Sequence, residues 1–380
     1  MKIRLQRWRD YFFLGIFVLF QISEIGNIKY ILALAFAAFY FLVQYQYGAP
    51  LTMQGAGKSY FTILLGLCGL FAITAGLQLI NGFQSYAINE VIYFITPLFF
   101  VWVYVSMTNR ERLGIIIDYM FCILILAFIY EKWQFMSFSY LKYISFTNSY
   151  SVFECGYGYP SVVLECVFLM RGEKKKAFGA MLFAVVCFKR FCMIAAILIF
   201  VFSKWIISDK PADKKAVAVA IIGFVLLPII TCGVLDEEFS VWFEQQFGIS
   251  LRFLTMSRSD RLMAVINSDE IKHGLGSTTV YMTDMLNELH GSEIEQRNLH
   301  NDLVRIYLEC GILGSIIFTY TYFKATVRSR TALIIMCYVF AECYFNHPLG
   351  AGNVGLWIVI YMSLAYVLTN KEQTIGARSV

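Results

Sequence analysis

Residues 299–314 read LHNDLVRIYLECGILG, and they stand where a long polar segment ends and an apolar span of about twenty residues begins. His300 should therefore lie at a membrane surface. On a helix, Asp302, Arg305 and Glu309 share one narrow face, because residues three and four positions apart are neighbours. Charged side chains are costly inside an apolar slab, so we expect this face to point into the protein and its members to pair. The stretch alone leaves open whether His300 exchanges protons near neutral pH or is only an interfacial polar residue.

The overall composition is typical of a membrane protein. The chain has 380 residues, of which 59% are hydrophobic and 15% charged, and its mean hydropathy is +0.64. A soluble domain of this length does not need so much apolar surface, whereas a bundle of membrane helices does. The ten cysteines form no CxxC pair and no Cys/His cluster, which argues against a disulfide framework and a zinc site. Basic residues precede the first apolar run without a cleavage site, so we expect an uncleaved first span.

Apolar runs recur along the whole chain and predict its fold class. They lie at roughly 11–23, 28–47, 60–80, 88–107, 113–130, 152–170, 177–188, 191–207, 215–233, 303–323, 331–346 and 352–369. Several are short enough to be tilted, kinked or buried among neighbours. The sequence therefore predicts an all-α fold, a polytopic membrane helix bundle of about twelve spans.

The basic residues test this count, because short cytoplasmic loops are enriched in Lys and Arg. If the N-terminus is cytoplasmic, the even-numbered connections should be cytoplasmic too. Those connections hold the strongly basic groups: Lys58; Arg110 and Arg112; Arg171 and Lys174 to Lys176; Lys204, Lys210, Lys214 and Lys215; Lys324, Arg328 and Arg330. The tail adds Lys371 and Arg378. All fall on one side, so we expect both termini in the cytoplasm and no binding of nucleic acid.

The opposite side receives the unusual connections: 131–151, the tight turn 188–191, the long segment 234–302, and the short loop 346–348. The chain is accordingly divided into an N-terminal transmembrane bundle (1–233), an extracytoplasmic loop subdomain (234–302), C-terminal transmembrane helices (303–370) and a cytoplasmic tail (371–380). The loop subdomain begins with an aromatic stripe at helical spacing, formed by Phe239, Trp242, Phe243 and Phe247. This stripe either lies in the lipid interface or packs on the bundle.

Several cations are retained on this opposite side, where basic residues near the membrane are usually scarce. Lys189 and Arg190 occupy the tight turn, Arg258 and Arg261 are three positions apart, and His300 and Arg305 complete the set. The planar fork of Arg suits phosphate, so several Arg side chains around one site favour binding of a diphosphate. The alternative is binding of lipid headgroups, or ion pairing with the neighbouring Asp260, Asp269 and Glu270.

The same residues resemble the O-antigen polymerase and O-antigen ligase superfamily. There, a His-Asn pair ends the large periplasmic loop and Glu-x-Gly-x-x-Gly follows in the next span, as do His300-Asn301 and Glu309-x-Gly311-x-x-Gly314 here. Arg261, some fifteen residues before a Gly-x-Gly at 274–276, is similar to the loop arginine of that superfamily. A Trp often follows that arginine, where this chain has Val265, which leaves open whether Arg258 or Arg261 is the counterpart. Lys189-Arg190 resembles a basic residue that begins a central span.

The resemblance implies a GT-C-like membrane glycosyltransferase of the bacterial inner membrane, active on the periplasmic side. The donor would be a glycan on undecaprenyl diphosphate and the acceptor a sugar hydroxyl. Arg190, Arg258 and Arg261, with Lys189, would neutralise the diphosphate in place of a metal, and no cofactor is implied. His300 would be the base or orient the acceptor, and Asn301 would set its tautomer. Arg305 and Glu309 would form a buried supporting pair, and the Gly311 and Gly314 spacing a smooth face for helix packing.

Three functions remain open at this point. The first is a polymerase of lipid-linked repeat units, which suits a compact chain with one modest loop and implies a chain-length regulator and a flippase as partners. The second is a ligase that transfers glycan to lipid A core with the same residues. The third is a flippase or exporter without catalysis. Transporters tend to show internal repeats and broken helices at the midplane; this sequence shows no repeat, and its polar residues cluster at one surface.

Overall fold

The computed structural model describes residues 2–22, 27–46, 56–136, 153–255, 258–268, 270–271, 273–290, 299–350 and 353–369. Within these ranges the chain is helical and forms no β-strand. The tail 371–380 and most of the connection 131–151 lie outside the described residues.

The helices are α1 (Lys2–Gln21), α2 (Ile28–Gln46), α3 (Ala56–Asn81), α4 (Tyr86–Ser106), α5 (Arg110–Lys132), α6 (Gly158–Arg171), α7 (Lys174–Val186), α8 (Arg190–Ile206), α9 (Lys214–Val234), α10 (Glu237–Phe247), α11 (Leu251–Thr255), α12 (Arg258–Ile266), α13 (Ser277–His290), α14 (Asp302–Thr326), α15 (Arg330–Phe345) and α16 (Val354–Leu368). A 3₁₀ turn, Trp133–Phe135, extends α5.

Each of the apolar runs found in the sequence contains a helix. Among the described residues, six helices are long and apolar enough to cross a membrane: α2, α3, α4, α5 with its 3₁₀ turn, α9 and α14. The helices in the other runs are shorter or, like α1, more polar. The all-helical fold and the membrane character are therefore confirmed, while the count of twelve crossings stays a prediction.

Helices from both ends of the chain form one bundle with a common core. α14 packs along α3 and against α9, and α16 packs against α4 and α6. α16 is apolar on all faces and is buried almost throughout, as expected of a helix without a polar stripe. Three tyrosines of this core form a chain of hydrogen bonds: Tyr60 donates to the carbonyl of Tyr361 over 2.5 Å, and the Tyr361 hydroxyl lies 2.8 Å from that of Tyr322.

The two glycines of α14 do different things, contrary to the smooth helix face that the sequence suggested. Gly311 has φ 66° and ψ −173°, which interrupts the helix at its middle. Side chains rarely adopt such a positive φ, so this position requires glycine. Gly314 does serve close packing, since a Cβ there would lie 3.3 Å from Leu70 of α3.

The segment that follows α9 is built from α10 to α13 and has a small core of its own. The core includes Leu262, Val265, Met282 and Leu299. A loop with two glycines anchors the segment to the bundle. A Cβ on Gly274 would lie 2.8 Å from the Cα of Thr74 in α3, and one on Gly276 would lie 2.7 Å from the ring of Tyr86 in α4. Both glycines also have positive φ, so only glycine allows this close approach.

The aromatic stripe of α10 is not covered by the bundle. None of the residues of α10 is buried, and Trp242 and Phe247 are 49% and 60% exposed. The rings instead contact each other, with the Phe239 and Trp242 centroids 5.5 Å apart. The packing alternative therefore fails for Trp242 and Phe247, whereas Phe239 and Phe243 are half-buried. An uncovered aromatic face beside a membrane bundle favours contact with the lipid interface.

Candidate functional site

The N-terminal end of α8 and the C-terminal ends of α9 and α15, together with α11 and α12, form a cavity of about 680 Å³. The predicted residues that line it are Lys189, Arg190, Arg258, Arg261, His300 and Asn301. They come from three separate parts of the sequence, so the fold brings them to one place. We call this the cationic cavity.

Lys189 and Arg190 reach the cavity through a strained turn. Phe188 has φ 50°, an unusual value for a residue with a side chain. The turn is held from the other side by the N–H of Cys155, which donates to the carbonyl of Cys187 over 3.2 Å. Lys189 Nζ lies 2.7 Å from Glu154 Oε1, so its charge is partly offset. Arg190 is the first residue of α8, and its side chain is exposed.

Arg258 and Arg261 lie on α12 and differ in how they are held. Arg258 Nη1 donates to the carbonyl of Phe345 over 2.9 Å, which fixes its guanidinium against the end of α15. Arg261 is half-buried and has no hydrogen bond or ion pair among the described residues. Asp260 pairs with Arg252 at 3.2 Å instead of with either cavity arginine. Ion pairing with Asp260 therefore does not explain these arginines.

Asp269 and Glu270 were the other acidic residues considered as partners. Asp269 lies outside the described residues. Glu270 makes no ion pair with Arg258 or Arg261 within the described ranges. The structure thus leaves Arg261 as a cavity cation whose charge is not offset by a described acidic side chain. Such a cation is suited to meet an anion that enters from outside.

His300 stands at the rim of the same cavity, just before α14 begins. Its neighbour Leu299 is buried in the small core, while the imidazole itself is exposed to the cavity. Partial withdrawal from water, with Arg258, His347, Arg261 and Lys189 nearby, lowers the pKa of His300 to about 4. A lowered pKa means that the neutral ring is favoured, so near pH 7 the imidazole has a lone pair available to accept a proton.

Asn301 has a structural role that the sequence did not predict. Its side-chain oxygen accepts a hydrogen bond from the N–H of Val304 at 3.0 Å and so caps the N-terminus of α14. Within the described parts of the chain, no hydrogen bond joins Asn301 to the ring of His300. The expectation that Asn301 sets the tautomer of His300 is therefore not what the geometry shows. By starting α14, Asn301 instead fixes the position of the residue before it.

Arg305 and Glu309 are buried, but their direct partners differ from those expected. Arg305 Nη1 donates to Glu90 Oε1 of α4 over 3.0 Å, and its Nε lies 3.4 Å from Asp302 Oδ1. Glu309 Oε1 accepts a hydrogen bond from the N–H of Thr278 at 3.0 Å. Both side chains are buried as expected, but within the described residues no ion pair at contact distance joins Arg305 to Glu309. Glu309 holds the first turn of α13, while Arg305 ties α14 to α4.

His347 is a residue near the site that sequence reasoning did not single out. Its Nδ1 lies 2.7 Å from Asp302 Oδ1, and the N–H of Leu349 donates to Asp302 Oδ2 over 2.7 Å. The centroids of the His347 and His300 rings are 6.4 Å apart. The sequence offered only one signal, a histidine in the short loop 346–348, because its partner Asp302 comes from another helix.

The arrangement can hold an anion and accept a proton in the same cavity. Cations from the turn at 188–190 and from α12 surround the space beside His300. Such a set can stabilise negative charge on a leaving group while a neutral imidazole faces the incoming group. Comparison of the chain with protein-family models, curated proteins and solved structures found no match.

Proposed function

We propose that this chain is a membrane glycosyltransferase that polymerises undecaprenyl-diphosphate-linked oligosaccharide repeat units into O-antigen, capsule or a related polysaccharide. The observation that carries the proposal is the cationic cavity, which Lys189, Arg190, Arg258 and Arg261 line together with His300. The cavity combines what the reaction needs, namely positive charge for a diphosphate and a group that can accept a proton.

The arginines would bind the diphosphate of the donor. A diphosphate is a good leaving group once its developing charge is stabilised, and Arg does this with two parallel hydrogen bonds. Arg258 is held in place by the carbonyl of Phe345. Arg261 has its full set of donors available among the described residues. We therefore assign Arg258 as a fixed contact and Arg261 as the principal ligand of the diphosphate.

The apolar wall of the cavity suits a substrate whose tail stays in the lipid. Ile194 of α8 and Ile230 of α9 both line the cavity, and both are also more than half exposed, at 58% and 56%. α8 and α9 both pack against α15. A polyprenyl chain could therefore lie along this face in the bilayer while its diphosphate reaches the arginines.

The reaction forms one glycosidic bond and breaks one bond to phosphate. A hydroxyl of the acceptor repeat unit attacks the anomeric carbon of the donor glycan, and the bond from that carbon to the diphosphate oxygen breaks. The hydroxyl proton passes to the Nε2 or Nδ1 atom of His300, which is neutral near pH 7. The electron pair leaves on undecaprenyl diphosphate, whose charge the arginines stabilise.

The proposal includes a topology. The helices in the twelve apolar runs would all cross the inner membrane in a GT-C-like bundle, with both termini in the cytoplasm and the cationic cavity on the periplasmic side. The positive-inside distribution of the basic loops supports this orientation. A flippase that delivers the lipid-linked units and a chain-length regulator would be its partners in the membrane.

The test is polymerisation by purified protein in proteoliposomes supplied with one purified lipid-linked repeat unit. We expect a ladder of products that is insensitive to metal chelator and absent with His300→Ala. A parallel reaction offers lipid A core as the acceptor. Transfer to that core without a ladder would show a ligase, and movement of the donor between leaflets without any new glycosidic bond would contradict the enzyme.

A further inference from the structure

A second cavity, of about 410 Å³, lies at the same end of the bundle as the cationic cavity. It is formed by the ends of α1, α2, α4, α6 and α16. Two short stretches of the sequence contribute residues to both cavities. In one segment, Glu154 lines the cationic cavity and Tyr157 lines the second; in the other, Asn346 lines the first and Asn353 the second. A ligand in the second cavity would therefore be a neighbour of whatever the arginines hold.

Lys29 of α2 is an unusual member of this second cavity. Its side chain lines the cavity although Lys29 is only 8% exposed. The ammonium has no hydrogen bond or ion pair in the described part of the chain, and it lies 6.0 Å from the Phe20 ring centroid and 5.9 Å from that of Tyr30. Burying a cation without a counter-ion is costly. This cost is offset if an anionic group of a ligand enters the cavity.

The rest of the lining is typical of a surface that binds sugar. The rings of Tyr30 and Tyr93 lie 5.4 Å apart and offer apolar faces on which the C–H groups of a pyranose can pack. Gln21, Asn27 and Asn353 add amide groups, which can both donate to and accept from hydroxyls. Asn353 is itself fixed, because its Nδ2 donates to the carbonyl of His347 over 2.7 Å.

One carboxylate, Glu131, also lines the second cavity. Glu131 Oε1 lies 2.9 Å from Lys132 Nζ, so its charge is offset locally. The carboxylate is also half-exposed, at 47%, and is therefore screened by water. Lys29 is thus the cation of this cavity whose charge is not offset by a described acidic side chain.

We propose that the second cavity binds the glycan of an acceptor repeat unit, and that Lys29 pairs with an anionic group on that glycan. The group is a carboxylate or phosphate substituent, and sugar rings next to it pack on Tyr30 and Tyr93. The role of acceptor rests on the proposed function, because it assumes that a glycosyl group is transferred in the neighbouring cavity. The binding of an anionic glycan does not depend on that assumption.

Binding is measured by isothermal titration with the full chain in phosphatidylcholine nanodiscs at low salt, using trigalacturonic acid and neutral maltotriose as probes. We expect the anionic trisaccharide to bind more tightly than the neutral one. Lys29→Gln should weaken binding of the anionic probe by about tenfold, because a charged hydrogen bond is lost. Lys29→Arg should retain most of it, and Lys58→Gln, which alters an exposed lysine at the other end of the bundle, should change nothing.

Two further measurements separate the possible outcomes. Unchanged maltotriose binding by Lys29→Gln shows that the cavity is still folded, and binding by His300→Ala shows that the site works without catalysis. If wild-type protein made no polymer but bound the anionic probe through Lys29, the proposed function would fail while this site stood. Equal binding of that probe by wild type and Lys29→Gln, or no binding of either probe, would overturn the site. So would loss of Lys29-dependent binding in phosphatidylglycerol nanodiscs, which would identify a lipid headgroup as the occupant.

Discussion

At the scale of single residues, the positive charge around His300 makes the pKa of its imidazole depend on whether a diphosphate is bound. Partial withdrawal from water is the largest cause of the lowered pKa of His300, about 4 in the free protein, and the charges of Arg258, Arg261 and Lys189 lower it further. A bound diphosphate would cancel much of that positive charge and raise the pKa towards its usual range. The imidazole would therefore become a better base when the donor is in place.

This linkage predicts different pH profiles for kcat/KM and kcat. Since kcat/KM reports groups in the free enzyme, it should stay level from pH 7 to about 5 and fall only as His300 gains a proton near its lowered pKa. The acid limb of kcat should lie at higher pH, because it reports the complex with diphosphate bound. Steady-state polymerisation rates across pH 4 to 8 measure both. A kcat/KM limb centred near 6.5 would contradict the positive field around His300.

The structure also offers a matched pair of arginines. Arg261 lines the cavity without a described partner, whereas Arg252 of α11 is exposed and paired with Asp260. We expect Arg261→Ala to lower kcat by roughly two to three orders of magnitude, as is usual for loss of a donor that stabilises transition-state charge. Arg261→Lys should rescue poorly, since Lys lacks the bidentate fork. Arg252→Ala should keep near wild-type rates, and an equal loss in both Ala variants would remove the special role of Arg261.

At the scale of elements, helix positions could be predicted from apolar runs, but contacts between helices could not. Glu90 lies in an apolar run of α4 and gave no sign that it would meet Arg305 of α14, because that pairing depends on how two distant helices pack. The hydrogen bond between His347 and Asp302 likewise depends on the packing of two distant parts of the chain. The cations of the site could be predicted because basic residues are scarce in the loops opposite the cytoplasm, so those that are retained there stand out in the sequence.

The break in α14 at Gly311 can be tested by substitution. Gly311→Ala places a side chain at φ 66°, where an added methyl has open space but the backbone is strained. Strain of this kind costs about 1–3 kcal/mol, so the apparent Tm of the 380-residue chain in detergent should fall by roughly 1–4 °C. Gly179→Ala, in α7, also meets open space but has ordinary helical backbone, and it should leave Tm equal or slightly raised. Equal Tm values for the two variants would mean that α14 is straight in the membrane.

At the scale of the whole molecule, particular cations at the two ends of the bundle differ in whether an acidic side chain offsets their charge. On the predicted cytoplasmic side, Arg171 lies 2.7 Å and Lys176 2.6 Å from Asp118. On the other side, the side chains of Arg261 and Lys29 line cavities without a described counter-ion. Under the proposed function, Arg261 and Lys29 would meet anionic groups of the substrates, whereas the paired cations at the opposite end would serve only orientation in the membrane.

This asymmetry depends on the chain crossing the membrane between the two sets, and α7 is the most demanding crossing. With 13 residues it is about 20 Å long, less than the roughly 30 Å of a hydrocarbon core. It can cross only if its flanking turns enter the membrane, as they would beside tilted or thinned surroundings. Lys175 lies just inside its first turn and Lys189 just beyond its end, so labelling at these two positions reports directly on this helix.

Single cysteines placed in a cysteine-free background test the crossing in intact spheroplasts with a maleimide that cannot pass the membrane. We expect Lys189→Cys and Glu244→Cys to be labelled from outside, because both positions belong to the periplasmic face in the twelve-span topology. Lys175→Cys and Arg328→Cys should be labelled only after permeabilisation. If Lys189→Cys were protected while Glu244→Cys was labelled, α7 and α8 would form a hairpin that does not cross. The turn with Lys189 and Arg190 would then be on the wrong side to join a cavity that also holds His300, and both the topology and the diphosphate site would have to be abandoned.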